Sequence, residues 1–595
     1  MSPEITLMEG KLTSALYERL KDYYQHRLLK SSFIEYQWQQ WADRPGLLVY
    51  RAVQNTQDKA WIIYNAENST IQDIIISPDD NTIHLESVLD ALIARENLVA
   101  AQIWAEDREK YLMLVDYGFR PTRSALEAGF NILKLDLSTS VLLRKLKGHK
   151  PGWEINREVV AVEKVSEDSQ QEEIKAGLER LLQKLGGIEH FVRPGQRVVI
   201  KPNIVSEHGL RDGIYKGGIV TDPRLVKALV EILLPLAGEI IIAEGASINR
   251  SETSKMFEHY GYRKIAALDP DKISLVDLNQ DEAREKAVPR GKRMVSRKIP
   301  ITLETADVII SVPVMKIHFA AVVSLSIKNL QGAVPPLEKY MSHFFGLWQS
   351  LININHLVKP ALIIIDGLCG QEGFGPISGT PRQMDVLIAG TNPAAVDAVA
   401  TRTMGLEPED VPTCLMAYLQ GFGPMDMDDI ELIGPPLEDI SRPFQQPQLD
   451  LSGGKDITLH NGYACPGCRA YLHFVMSKLR KPDPMENSRL LIDRPFPNPI
   501  KVYFGPDTES EINPQSTNVF IGVCQQHHAH MGMHIPGCPP HSEALIDGIY
   551  SLFPDVEKAK YADKSEEAKL GDMLQEILGV DKGTVLLSTL EEVNV

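Results

Sequence analysis

Short continuous apolar runs alternate with longer segments of helical period through the middle of the chain, and this alternation predicts the architecture there. RVVIKPNIV (197–205) reads as a buried strand, and TDPRLVKALVEILLPLA (221–237) as the helix that follows, with Thr221 or Asp222 as N-cap and Pro223 at its first position. EIIIAEGAS (239–247) predicts the next strand, ETSKMFEHYGY (252–262) the next helix and ADVIISVPVMKIH (306–318) a third strand. ALIIIDGLCG (361–370) and DVLIAG (385–390) follow as strands, the second running into the helical NPAAVDAVATRTMG (392–405). Strands and helices in turn imply a doubly wound α/β domain over residues 157–440, with a mainly parallel sheet covered on both faces.

The flanking regions have other textures. Residues 1–140 mix both periods and close on DYGFRPTRSALEAGFNILKLDL (116–137), a turn followed by alternating apolar positions, so an α+β domain is expected. RKLKGHKPGWEINRE (144–158), polar and broken by Gly and Pro, reads as a linker. Residues 455–595 hold four of the six cysteines and five closely spaced histidines ahead of an acidic helical close, and are expected to form a small Cys-rich metal-binding region.

Composition narrows the function classes. With 43% hydrophobic and 24% charged residues the chain is globular, and its net charge of -17 argues against nucleic acid or an anionic membrane as a general partner. MSPEITLMEGKL shows no signal peptide, and no apolar run reaches the roughly 18 residues of a membrane-spanning helix. A cytoplasmic protein without membrane insertion is therefore expected. In that reducing compartment six cysteines read as metal ligands, reactive thiols or core residues rather than disulfides.

In an open α/β sheet, ligands bind beyond the carboxyl ends of the strands. The expected strands end at Lys201 and Asn203, at Glu244, at Lys316 and His318, and at Asp366, which collects these side chains on one rim. Lys328 and Asn329 in SIKNLQGAVPP add a third cation and an amide. Such a lining suits a small anion, a carboxylate or phosphate. The expected roles are Lys201, Lys316 and Lys328 holding the anion, Asn203 and His318 orienting it, Asn329 completing the substrate-binding lining, and Asp366 or Glu244 binding a cation or moving protons. DGLCGQEGFGPISGTP (366–381), with five glycines, reads either as an anion-binding loop or as a long connector, and lacks the spacing of a P-loop.

Six ordered blocks, KPNIV, TDPRLVKALVEIL, IIIAEGAS, KIHFAAVVSLSIKNLQGAVP, IIIDGLCGQEGFGPISGTP and TNPAAVDAVATRTMGL, resemble the family catalogued as domain of unknown function 362. The resemblance covers nearly all of 195–420. It implies a prokaryotic protein of a family often associated with iron–sulfur clusters, and no established reaction. DREKYLMLVDYGFRPTRSALEAGFNILKLDL (107–137) is similar to the closing segment of the GNAT acetyltransferase fold. In that fold a glycine-bearing turn cradles the pyrophosphate of acetyl-CoA, but the corresponding ISPDDNTIHLESVLDALIA (76–94) has no glycine. A non-catalytic docking or regulatory module is the expectation for this region.

Cys465 and Cys468 in ACPGC, Cys524 in IGVCQQHH and Cys538 in IPGCPP make four thiolates, which suits one tetrahedral zinc or one 4Fe-4S cluster equally by spacing. Histidines 527, 528, 530, 534 and 541 favour zinc. A redox dithiol at Cys465 and Cys468 ranks third, since the pattern there does not read as a helix start in a βαβ unit. IGVCQQHHAHMGMHIPGCPPHSEALIDGI resembles the cluster-binding segment of the small 4Fe-4S subunit of respiratory complex I and nickel–iron hydrogenases. That resemblance implies Cys524 and Cys538 as the third and fourth cluster ligands, whereas the first two, adjacent in complex I, stand here as C-x-x-C. The expected function is redox chemistry on, or electron delivery to, a small anionic substrate or a redox partner protein. The competing class is a metabolite-binding or partner-binding protein stapled by zinc or a structural cluster. Cys369 and Cys414 read as packing thiols.

Overall fold

The computed structural model describes residues 5–25, 31–68, 70–77, 85–96, 100–104, 107–117, 119–127, 130–135, 147–148, 151, 153–211, 214–215, 217–247, 253–289, 296–507 and 512–558. The chain divides into two compact units, Met1–Glu154 and Ile155–Ser588.

Seven strands form the sheet of the first unit, in the order Thr6–Gly10, Leu47–Gln54, Gln57–Asn65, Thr70–Ile76, Ala100–Trp104, Phe130–Leu135, Phe119–Glu127. Thr70–Ile76 and Ala100–Trp104 run parallel, and every other neighbouring pair is antiparallel. The expected helix ahead of the two closing strands is Arg108–Tyr117. Leu16, Leu20 and Tyr24 of the helix Ser14–Gln25 share one apolar cluster with Trp41 and with Trp61, Ile63 and Ile75 of the sheet. Residues 78–84, inside the stretch matched to the pyrophosphate turn, lie outside the described residues, as does most of the linker before Trp153.

The second unit is built on the expected, mainly parallel sheet. Its strand order is Ile273–Asp277, Glu239–Glu244, Arg197–Pro202, Val308–Val312, Leu362–Glu372, Thr380–Gly390, Glu158–Lys164, Ile430–Ile433. The first five are parallel, Thr380–Gly390 is antiparallel to both neighbours, and Ile430–Ile433 runs parallel to Glu158–Lys164. Alternate residues of the same strands feed two separate cores. Val198, Ile200, Ile240, Ile242 and Ile310 pack with Leu225 and Leu229 of the helix Pro223–Leu233, while Val199, Ile241, Ala243 and Ile309 pack with Leu330, Val334 and Ile354. This is how the period of two in a strand, buried on both sides, becomes a doubly wound fold.

Three expectations need correction. ADVIISVPVMKIH is two strands, Val308–Val312 and Val314–His318, divided at Pro313, whose ring cannot donate to the ladder. The helix expected at 252–262 is also two, Thr253–His259 and Tyr262–Ala266, because Gly261 sits at φ 78, outside the helical region. The glycine-rich 366–381 is mostly strand: Leu362–Glu372 pairs with Thr380–Gly390 and leaves only 373–379 as connection. Cys369 is therefore a buried strand residue, and Cys414 lies inside the helix Pro412–Leu419.

The cysteine-bearing region folds on a second, wholly parallel sheet in the order Ile457–Asn461, Ile500–Phe504, Thr517–Ile521, Met533–Ile535, with the helix Pro466–Leu479 crossing between the first two strands. The region expected to be small and Cys-rich is thus an α/β layer. The acidic helical close falls on 559–595, outside the described residues.

Candidate functional site

A cavity of about 380 Å³ opens beyond the carboxyl ends of Arg197–Pro202, Glu239–Glu244 and Val314–His318. Its far side is closed by Tyr471, Phe474 and Lys478 of the helix Pro466–Leu479, and by His541 and Ser542 at the start of the helix Ser542–Tyr550. Asn203, Glu244, Lys316, His318, Lys328 and Asn329, all expected on the rim, line it.

Their bonding separates structure from spare capacity. Lys316 donates from Nζ to Asn203 Oδ1 and to the Ile219 carbonyl, both at 2.6 Å. Asn203 in turn donates to Asn329 Oδ1 at 3.3 Å, and Asn329 Nδ2 reaches Ser311 Oγ at 3.0 Å, which locks the pair of amides behind Lys316. Lys328 has no hydrogen-bond or ion-pair partner among the described residues. The helical turn that carries it is held at its start by Asp397, which accepts from Ser326 N, Ser326 Oγ and Ile327 N. Burial lowers Lys328 to about 8 and, helped by the Lys328 charge, holds Lys316 well below its ordinary value.

His318 accepts at Nδ1 from the amides of Ala320 and Ala321, at 3.2 and 3.1 Å, so this assignment puts its proton on Nε2. Burial, then Lys328 and Lys316, keep the ring neutral by pushing its pKa well below the ordinary value. The side chain thus keeps its Nε2–H as a donor, and its basic nitrogen is already occupied.

Lys201, Glu244 and Asp366 depart from their expected roles. Lys201 is fully buried outside the cavity wall, its Nζ 2.9 Å from Glu244 Oε1. Glu244 also accepts from Ile204 N at 2.9 Å and Gly245 N at 2.8 Å, so its carboxylate is committed to this pair and to the backbone. Asp366 sits mid-strand and accepts from Asp222 N at 2.7 Å and Leu368 N at 3.1 Å, away from the cavity wall; burial, with Asp222 beside it, raises it to about 7. The strand runs on to Glu372, which is why Asp366 does not reach the rim.

Lys339 and His343, one helical turn apart on Pro336–Phe345, were not legible as site residues, because charges on a helix read as a solvated face. Lys339 Nζ donates to Gly245 O, Ala246 O and Asn279 Oδ1 at 2.6–3.1 Å, and burial lowers it to about 7. His343 Nδ1 and Ser542 Oγ are buried without a hydrogen-bond partner.

The cysteines meet at the carboxyl edge of the second parallel sheet, where each of their loops leaves a strand. Cys465 is the N-cap of the helix Pro466–Leu479 and Cys468 lies in its first turn, so the C-x-x-C does open a helix in a βαβ unit, contrary to the sequence reading. Cys468 is surrounded by the other three: a hydrogen bond with Cys465, burial, and the proximity of Cys465, Cys524 and Cys538 push its thiol well above the ordinary range. A β-carbon on Gly522 would lie 3.5 Å from Cys468 Sγ, and one on Gly467 would lie 2.9 Å from the Trp348 ring, so glycine lets the C-x-x-C turn seat against that indole. Among the described residues, no three His, Cys, Asp or Glu side chains are arranged to hold a single metal ion. His528 is bonded to Gln525 and His534 to the Gly522 carbonyl, while His541 meets His343 edge-on and Tyr340 at a tilt.

Cysteine site and cavity share a wall. Cys538 N donates to His343 O, and Leu347 N donates to Cys538 O, each at 2.8 Å; His343 and Leu347 both line the cavity.

Among known proteins, residues 198–402 match the family model described as Domain of unknown function (DUF362). Thylakoid-associated protein sll1697 of Synechocystis sp. is 29% identical over 258 residues, covering 42% of this chain and 75% of that protein. Solved structures similar to 22% of this chain include the N-acetyltransferase PseH of Campylobacter jejuni (11% identity, 98% of that chain, TM-score 0.17) and a GNAT family acetyltransferase from Elizabethkingia anophelis (15%, 99%, TM-score 0.18). Among the described residues no helix is long and apolar enough to cross a membrane. The stretch that matches the family model, 198–402, carries Lys201, Lys316, Lys328 and Lys339.

Proposed function

We propose that this chain is an iron–sulfur protein that exchanges electrons between a four-cysteine site and a small anion bound in the adjoining cavity. The observation that carries the reading is the pair of hydrogen bonds joining Cys538 to His343 and Leu347, which makes one short segment a wall of both sites. Three thiols close to Cys468, with burial, oppose its ionisation, so the four would ionise together only beside a compensating cationic centre such as a cluster's iron. A 4Fe-4S cluster held by Cys465, Cys468, Cys524 and Cys538 would supply one-electron transfer, with no iron left open to the substrate.

The chain's own residues do the rest. Lys328 and the remaining donor of Lys316 receive the anion, and His318 Nε2–H orients it. Asn203 and Asn329 position Lys316, while Glu244 neutralises Lys201 behind them. Tyr471, Phe474 and the start of the helix at Ser542 shut water from the far side. The N-terminal unit acts as a docking or regulatory module, a reading supported by the missing glycines in 76–94.

Anaerobic purification tests this. The brown protein should carry about four irons and four sulfides per chain and give a paramagnetic signal on reduction. A colourless protein with one zinc, or an iron-free Cys465–Cys468 disulfide that cycles with thiols, would overturn the cluster assignment and leave an anion-binding protein with a stapled or dithiol C-terminal layer.

A further inference from the structure

Four aromatic side chains line the cavity together with the lysines, and they point to the ligand. Phe319 follows the strand Val314–His318, Phe374 sits at the tip of the Leu362–Gly390 hairpin, and Tyr471 and Phe474 come from the helix Pro466–Leu479; all four line the cavity. Phe319 meets Tyr471 at 5.1 Å and 80°, and Phe474 at 4.8 Å and 69°; Phe374 meets Phe474 at 6.1 Å and 79°. These edge-on pairs, brought together from three parts of the chain, present both ring faces and ring edges to a flat ligand. His318 lies stacked on Phe319 at 5.2 Å and 15°, so the donor for an anionic head adjoins the surface for an aromatic body.

Donor capacity sets the charge of that head. An ammonium has three donors. Lys339 fills all three on oxygens of the protein, Lys316 fills two, and Lys201 is neutralised by Glu244. Lys328 keeps all of its own, as does Lys478 on the far wall, so at the Lys316 end of the cavity one ammonium and one spare donor of Lys316 stand beside His318. A single carboxylate, with two oxygens, matches that vacancy.

We propose that the cavity takes a small aromatic carboxylate, its head on Lys328, Lys316 and His318 Nε2–H and its flat body against Phe319, Tyr471 and Phe474. This rests on the anion-binding reading above and does not depend on the cysteine site. Isothermal titration of the full-length protein with benzoate, cyclohexanecarboxylate, acetate and inorganic phosphate tests it. Benzoate should bind about tenfold tighter than cyclohexanecarboxylate and more tightly than acetate or phosphate. Lys328→Gln should weaken benzoate by at least about tenfold. Phe474→Leu should remove the preference for benzoate over cyclohexanecarboxylate; Phe319→Leu, just after the strand Val314–His318, tests the same point should the helix variant not fold. Equal binding of benzoate and cyclohexanecarboxylate would overturn the aromatic assignment while leaving the anion site standing, and tightest binding by phosphate would overturn the carboxylate. No binding by any of the four would overturn both.

Discussion

Each unit of this protein buries lysines, and the two do so in opposite ways. In the N-terminal unit Lys110 Nζ lies 2.8 Å from Asp73 Oδ1 and 3.3 Å from Asp107 Oδ2, while Tyr24 donates to Asp73 Oδ2 at 2.6 Å. Burial alone would lower Lys110, but Asp73, the tyrosines Tyr24 and Tyr23, and Asp107 outweigh it and hold the ammonium well above its ordinary value. In the second unit burial lowers Lys316, Lys328 and Lys339, and Glu244, which acts on Lys316 and Lys339, is hydrogen-bonded to Lys201. A buried charge that brings its own counter-ion is architecture, whereas one left without is a vacancy for a ligand.

The comparison breaks most visibly at Asp73. Asp73→Asn leaves Lys110 buried beside a weakened partner set, and urea unfolding of the N-terminal unit should lose about 3–5 kcal/mol. The cysteine site sharpens the other side. Cys538→Ser should cost most of the bound iron, read as the iron-to-protein ratio of anaerobically purified protein, with far-ultraviolet circular dichroism unchanged; full retention of iron would remove Cys538 from the ligand set.

Lys328→Met should leave the stability of the unliganded protein unchanged or raise it by about 1 kcal/mol, because it deletes a half-buried charge that has no partner among the described residues. A loss as large as that of Asp73→Asn would show that Lys328 has a structural counter-ion and would erase the contrast.

The smallest effect is the pH dependence. Lys328 and Lys339 fall from an ordinary 10.5 to about 8 and about 7, so between these values and 10.5 the unfolded chain binds more protons than the folded one. At these two groups stability therefore grows as pH rises, so the gain from Lys328→Met should shrink from about pH 8 towards 10, and anion affinity should fall above about pH 8 as Lys328 loses its proton. A gain that grew across that window would contradict the assignment.

Much of the central fold was legible. The strands and helices of 197–262 and 306–405 appear near their expected places because continuous apolar runs and capping residues are local signals. Pro313, Gly261 and the 366–381 hairpin were read less well, since each depends on what the backbone pairs with. The C-terminal layer was read through its cysteines, which hid a parallel sheet. For the site, the structure brings Asn203, Glu244, Lys316 and His318, collected by the rim rule, onto one cavity with Lys328 and Asn329, and leaves Lys201 and Asp366 outside its wall, since their partners Glu244 and Asp222 lie 43 and 144 residues away in the chain.

Sequence alone determined the alternation of strands and helices, the collection of polar groups at the strand ends and the identity of the four candidate thiols, because those follow from residue type and short-range period. Tertiary structure decided which lysine has a counter-ion, which carboxylate is already bonded, and that Cys538 shares a wall with the cavity. Hydrogen-bond partners and burial are set by segments far apart in the chain, and no local pattern encodes the distance between them.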